Sequence, residues 1–433
     1  MSNDEVKNRS FCVLPWIHSF VNNSGDFQVC CTGEVHNNEL RDESGKILNV
    51  RDRLDLNSIF NSDSIKKVRK QMLNGKLPDS CLPCINIEKS NSHSRRMIEN
   101  NEYISIIDQL ISQTNSDGSI DPHILHSDYR LGTTCNLKCR MCNPKASSKW
   151  ESDFDEMTAG IKDDYLWNER YQNFNTLALG DQEIILKDFQ GKEEFIQRIH
   201  FGGGEPLLSK GMLDILKYCI GKNRAKDITI SYNTNLTILP AEVLESWKHF
   251  KEVKLLASID AVGALNEYIR YPSKWSDVDK NLKFLDLNYE TYNISEILVS
   301  TTVQANNILH LHHLYNYLSG FNFIKKIPNL VVLEYPTYLA LWLLPEEIKE
   351  KAIKLMRFIS TSFSQNDTGD DSLIKGVDHC IKTLKSKIPI EIIEHVQNSF
   401  YLYTERFDSK HDLNFLKVNP EFKQLFDFYK NQS

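Results

Sequence analysis

No run of the chain approaches the roughly eighteen consecutive apolar residues that cross a bilayer, which argues against a membrane-spanning helix. The opening stretch, Met1 to Arg9, lacks the apolar core of a secretory signal, so a cytoplasmic protein is expected. In that compartment clustered cysteines hold metal or do catalysis more often than they form disulfides. Charge of one sign is not in excess either. The 51 Lys and Arg against 58 Asp and Glu leave −7, which argues against nucleic acid as the main partner. There is no internal repeat and no low-complexity segment. Hydrophobic residues at 41% and charged residues at 25% are those of an ordinary globular chain, and 433 residues suffice for a large domain and a smaller one.

What the chain does have is cysteine, unevenly placed. Eight of the ten precede residue 143, in two groups, and the strays Cys219 and Cys380 read as buried thiols. Cys135, Cys139 and Cys142 stand in the run Cys-Asn-Leu-Lys-Cys-Arg-Met-Cys. Three thiolates are one short of the four that close a [4Fe–4S] cluster, so one iron would stay open to an outside ligand. The spacing alone also fits three ligands of a zinc knuckle. A second motif, Phe201-Gly202-Gly203-Gly204-Glu205-Pro206, sets glycines that admit close backbone approach beside a carboxylate that can accept from an ammonium. Read alone, it is also a turn.

The order of elements predicts how these motifs are carried. From about residue 121 to 340, β-type runs at Leu125–Leu131, Arg198–Phe201, Asp227–Tyr232, Val253–Ile259, Ile294–Val303 and Leu330–Leu333 alternate with helical patterns at Leu207–Cys219, Ala241–His249, Val278–Leu287 and Ile308–Leu318. Six such units make a partial (β/α)6 barrel with a parallel sheet, and function gathers beyond the carboxyl ends of its strands. The polar runs Gln113–Ser119 and Asn366–Asp371 read as loops, and the first suggests a boundary near residue 120. After residue 340 the pattern is helical, at Pro345–Phe358, Ser372–Leu384 and Pro389–Tyr403, a tail expected to pack or to cap the barrel.

In order and separation the two motifs resemble those of radical S-adenosylmethionine (SAM) enzymes. The resemblance implies that Cys135, Cys139 and Cys142 hold a catalytic [4Fe–4S] cluster whose open iron chelates SAM. One-electron cleavage then yields methionine and a 5′-deoxyadenosyl radical, which abstracts hydrogen from a substrate. It further implies that Gly203, Gly204 and Glu205 contact the methionyl amino group. Asn233 in Ser231-Tyr232-Asn233-Thr234-Asn235, Ser258 and Asp260 in Ser258-Ile259-Asp260-Ala261, and Arg270 would supply further contacts to the cofactor. Asparagines at a strand end are also turn formers, and a lone arginine is also a paired surface residue. Met141 stands where many members put an aromatic residue against adenine; a thioether can pack on the same ring face.

Cys12, Gly25, Cys30, Cys31, a helical segment at Leu56–Leu73 and Cys81-Leu-Pro-Cys84 resemble the auxiliary-cluster region called SPASM, or twitch in its shorter form, placed here before the barrel instead of after it. The resemblance implies a second [4Fe–4S] cluster on Cys12, Cys30, Cys81 and Cys84, with Cys31 the alternate for Cys30. Four cysteines around zinc satisfy the same spacing. His18, in the same stretch, reads as structural. The implied organisation is an auxiliary-cluster domain over 1–120, the barrel over 121–340 and a helical extension over 341–433. The implied function is hydrogen abstraction from a peptide or protein residue, fed by an electron donor such as flavodoxin or ferredoxin. A sugar or amino-acid substrate, and a non-catalytic iron–sulfur or zinc protein, are the other readings. Glu334 and Asp128, near strand ends, are acid–base candidates. Anaerobic reconstitution is expected to give about eight irons per chain, two clusters of four; about four, with zinc retained, would remove the second cluster.

Overall fold

The structure, a computed structural model, describes residues 10–32, 38–89, 94–161, 177, 182–363 and 372–431; the loop expected over Asn366–Asp371 lies outside them. Eight strands and their helices form an α/β architecture, as the expected partial barrel requires. The chain divides into two compact units, one of Met1–Thr134, Asn175–Tyr232 and His249–Glu252, the other of Cys135–Phe174, Asn233–Lys248 and Val253–Ser433.

In the first unit the strands are β1 (His18–Val21), β2 (Phe27–Gln28), β3 (His126–Arg130), β4 (Arg198–Gly202) and β5 (Thr229–Thr234). β1, β3, β4 and β5 run parallel in that lateral order, and β2 is antiparallel to β1. The last three occupy the predicted runs. β1 and β2 were not predicted, and they alter the organisation: His18 pairs with His126 and Val21 with Tyr129, so the N-terminal segment is an edge of the barrel sheet. The expected boundary near residue 120 therefore does not separate one body from another. Its marker, Gln113–Ser119, is largely exposed, as a loop is expected to be, and only Gly118, at φ +90°, sits so close to the Lys66 carbonyl of α1 (Asp63–Leu73) that a side chain there would strike it. The expected single helix over Leu56–Leu73 is two, Leu56–Phe60 and α1. Asn61 between them accepts at its side-chain oxygen from Arg69 Nη1 at 3.0 Å and from the Ile120 amide at 3.1 Å.

One face of this sheet is apolar. Ile199, Phe201, Ile230 and Tyr232 are buried on it, and Tyr232 Oη reaches Met212 Sδ of α4 (Lys210–Gly221) at 3.7 Å; α4 follows α2 (Leu82–Lys89) and α3 (Arg95–Glu102) in the chain. Ser209 caps α4 at its Met212 amide, 3.2 Å away. The opposite face is polar: buried His18 and His126 with half-buried Arg198 make one row, and buried Asp128 with half-buried His200 and Ser231 the next. Polar side chains on alternate positions explain why these strands lack the continuous apolar run usual for parallel sheets.

The second unit holds β6 (Glu252–Ser258), β7 (Ile294–Val303) and β8 (Asn329–Val332), parallel and adjacent in that order. Its helices are α5 (Ala241–Trp247), α6 (Trp275–Asn288), α7 (Leu311–Leu318), α8 (Glu346–Phe363), α9 (Ser372–Leu384) and α10 (Ile390–His411). The C-terminal helices share one core with the loop that follows β3: Trp150, Tyr268, Tyr403 and Phe407 are all buried in it. Cys219 and Cys380 are fully buried thiols. Among the described residues no helix is long and apolar enough to cross a membrane.

The buried imidazoles set a pH dependence. Burial drives His18 down to about 3 and His200 to about 4, and drives His126 well below its ordinary value. The unfolded chain therefore takes up protons first as pH falls below 6.5, and stability is lost from there downward. Each such histidine contributes about 1 kcal/mol over the unit from pH 6.5 to 5.5, half-titrated at its start, and approaches about 1.4 kcal/mol per unit below that. Denaturant unfolding of the metal-free chain between pH 6.5 and 5.5 is expected to show this loss, reduced by about 1 kcal/mol in His126→Phe.

Candidate functional site

The loop after β3 carries the first cysteine group. Cys135 Sγ accepts from the Leu137 amide at 3.4 Å, and the Cys142 amide closes a turn on the Cys139 carbonyl at 2.9 Å. Cys139 and Cys142 present adjacent thiols: their mutual hydrogen bond and then burial push the Cys139 thiol up. Arg270 Nη1 lies 3.9 Å from Cys139 Sγ. Thiols so crowded ionise only against positive charge, which iron and a guanidinium both supply, so this donor set fits an anionic iron–sulfur cluster.

The loop has no regular structure, and its shape is imposed from outside. Trp150 Nε1 donates to the Cys139 carbonyl at 3.0 Å and Ser147 Oγ to the Leu137 carbonyl at 2.6 Å. The Lys138 and Arg140 amides bond to the Tyr271 and Ile269 carbonyls. Asn235, in the stretch expected to serve the cofactor, instead donates to Asn136 Oδ1 at 2.9 Å. From α10, Tyr403 Oη donates to the Arg140 carbonyl at 2.9 Å, and Arg140 Nη2 donates to Thr404 Oγ1 at 2.8 Å. Asp153 joins Lys138 to Lys410 of the same helix. These supports escaped the sequence reading because the partners lie far apart in the chain and carry no local motif.

The glycine motif ends β4 in the first unit. Gly203 and Gly204 have φ of +76° and +45°. A side chain on Gly204 would strike the Thr134 carbonyl, and one on Gly203 would strike Asn23. The Glu205 amide donates to that Thr134 carbonyl at 2.8 Å. The motif is thus laced to the residues immediately before Cys135. Glu205 is buried, and its Oε1 caps the turn at Pro206–Leu208 by accepting from the Leu207 amide at 3.1 Å. A Cβ-free cradle with an acidic side chain fits an ammonium-bearing ligand.

The remaining expected contacts divide. Asn233 and Ser258 are half-buried near the carboxyl ends of β5 and β6, and Met141 is half-buried against the core of the second unit. Asp260 and Arg270 find each other: Arg270 Nε is 2.8 Å from Asp260 Oδ2, with both residues buried. Burial opposes the charge on Arg270, but Asp260 and then Cys139 hold its guanidinium above its ordinary value. Its carboxylate partner is therefore within the chain. Asp260 also accepts from the Thr302 amide at 2.8 Å. Glu334 is exposed, whereas Asp128 is fully buried, with Arg95 and Arg130 at 3.8 and 3.9 Å.

In the N-terminal group, burial and then the neighbouring Cys30 push the Cys12 thiol up, with Cys81 and Cys84 adding to the effect. Burial and Cys30 push Cys81 to about 12. Cys30 and Cys84 both approach Thr32 Oγ1, at 3.5 and 4.0 Å. Cys31 departs from this group: its Sγ meets Arg95, beside Asp128. Among the described residues no three His, Cys, Asp or Glu side chains are grouped to hold a single metal ion.

Residues 129–303 match the family model described as the radical SAM superfamily. No curated protein matches the chain. Among solved structures, anSMEcpe with bound AdoMet and Cp18Cys peptide is 16% identical over 56% of this chain and 60% of its own, with a TM-score of 0.32. SuiB of Streptococcus suis bound to S-adenosylmethionine is 12% identical over 73% and 67%, with a TM-score of 0.32. TYW1 with a lysine-pyruvate adduct is 14% identical over 54% and 72%, with a TM-score of 0.28. The chain spans about 60% of the length of the first of these, and such identities and TM-scores transfer no substrate. Residues 129–303, which hold both the three-cysteine loop and the glycine motif, are a radical SAM domain.

Gly204→Ala is expected to weaken S-adenosylmethionine binding at least about tenfold, or about 1.4 kcal/mol, in equilibrium dialysis against the reconstituted protein. Its new Cβ must displace the Thr134 carbonyl.

Proposed function

We propose that this enzyme reductively cleaves S-adenosylmethionine and abstracts hydrogen from a residue of a peptide or protein. A [4Fe–4S] cluster with S-adenosylmethionine supplies the 5′-deoxyadenosyl radical for this chemistry. Cys135, Cys139 and Cys142 are the thiolates that would hold the cluster. Gly203, Gly204 and Glu205 would seat the methionyl ammonium, with Asn233, Ser258 and Met141 at strand ends and in the loop as further contacts. Arg270, tied to Asp260 and 3.9 Å from Cys139 Sγ, steadies the thiolate charge. The observation that carries the reading is the packing of the glycine motif on the Thr134 carbonyl, because Thr134 is the residue that precedes Cys135 in the chain.

Cys12, Cys30, Cys81 and Cys84 would hold the second [4Fe–4S] cluster. Their mutual proximity supports this set, and the pairing of Cys31 with Arg95 supports Cys30 over its neighbour. Four protein thiolates leave no open iron, so the work of that site is electron transfer to or from the barrel. An external protein such as flavodoxin or ferredoxin would deliver the electrons. The peptide substrate rests on the likeness of this cysteine set to the SPASM/twitch region, whose members often modify ribosomally made peptides.

Cys139→Ala is expected to abolish 5′-deoxyadenosine formation in the dithionite-reduced, reconstituted protein, read by chromatography. Cys81→Ala is expected to retain some of it with about four irons per chain. Unchanged 5′-deoxyadenosine from Cys139→Ala would end the reading, and a full iron complement in Cys81→Ala would remove Cys81 from the ligand set.

A further inference from the structure

Arg140 stands between the second and third cysteines of the loop and is fully buried. Its guanidinium carbon lies 4.7, 5.0 and 4.8 Å from the ring centroids of Tyr268, Tyr403 and Phe407. Nη2 donates to Thr404, while Nε and Nη1 have no hydrogen-bond partner among the described residues. No carboxylate among them forms an ion pair with it. The nearby acid, Asp408, is committed elsewhere, to Tyr268 Oη at 2.7 Å and the Phe415 amide at 2.5 Å. Aromatic faces attract a cation but leave its formal charge in place. A buried charge needs a counter-charge, and removing the partner of such a pair is costly. Tyr403 relates this charge to the thiols: its hydroxyl bonds the Arg140 carbonyl, and its phenol feels Arg140, Cys142 and Cys139 together.

We infer that Arg140 is a positioning residue whose buried, carboxylate-free charge, held by α10, is the counter-ion of the cluster loop and raises the reduction potential of the cluster held there. The inference rests on the assignment of Cys135, Cys139 and Cys142 given above. The potential of an iron–sulfur centre follows its net charge and surroundings, and a fixed positive charge in a poorly polarisable site favours the form with one more electron. Arg270 also faces the thiols, but Asp260 at 2.8 Å offsets much of its charge, whereas Arg140 has no such partner among the described residues. By holding this side chain, α10 acts on the redox step beyond packing.

The test is a redox titration of the reconstituted full chain followed by electron paramagnetic resonance, reading the signal that changes on addition of S-adenosylmethionine. Arg140→Met is expected to make one-electron reduction at least tenfold less favourable, a downward shift of about 59 mV or more. Arg140→Lys, which keeps the charge, is expected to stay near the wild type. Thr404→Glu sets a carboxylate against the same guanidinium and leaves Arg140 in place. It is expected to reproduce the downward shift, and it decides the matter if Arg140→Met does not fold. An unmoved potential in Thr404→Glu, or an equal fall in Arg140→Lys and Arg140→Met, overturns the inference. Absence of any signal responsive to S-adenosylmethionine in the wild type would instead overturn the cluster assignment beneath it.

Discussion

A single backbone carbonyl, that of Thr134, fixes the geometry on which the rest depends. It receives the Glu205 amide and rests on Gly204, so β4's glycine turn and the first residues of the cysteine loop cannot move apart without losing a buried hydrogen bond. Only residues without a Cβ allow that approach, and both glycines adopt backbone angles that other residues resist. The cradle is thus a consequence of chain packing before it is a feature of ligand binding. Glu205 repeats the pattern, spending one carboxylate oxygen on a turn and becoming rigid in the process.

Beyond Thr134 the chain has no ladder of its own and relies on tertiary partners. Trp150 and Ser147 close the loop on itself, Ile269 and Tyr271 meet two of its amides, and α10 covers it with Tyr403 and Thr404. A site that must hold several sulfurs in fixed relation gains from supports of this kind, because each bond from a rigid element removes freedom from a segment that would otherwise sample many shapes. The Asp260–Arg270 pair extends the same logic to charge. It is expensive to bury and is retained beside the thiol of Cys139.

Much of this was legible in the sequence. The runs at Arg198–Phe201 and Ile294–Val303 mark strands to within a residue, because alternation and glycine endings are local signals. The Cys-x3-Cys-x2-Cys spacing and the Gly-Gly-Glu-Pro run are local too. β1 was not legible, since His18–Val21 is four residues long and becomes a strand only by pairing with β3. For the same reason the sequence suggests a boundary near residue 120, which the pairing of β1 with β3 crosses. Arg140 was passed over because its partners, Tyr403 and Thr404, stand more than 260 positions away. The contact of Cys31 with Arg95 was likewise out of reach, since Arg95 has no motif of its own.

The pairing of β1 with β3 has a consequence for biosynthesis. During translation, His18–Val21 leaves the ribosome long before His126–Arg130 exists, so the first strand has no template and the thiols at positions 12, 30 and 31 wait in an unstructured nascent chain. Those cysteines reach their folded surroundings only after the sheet's opening strands have been made.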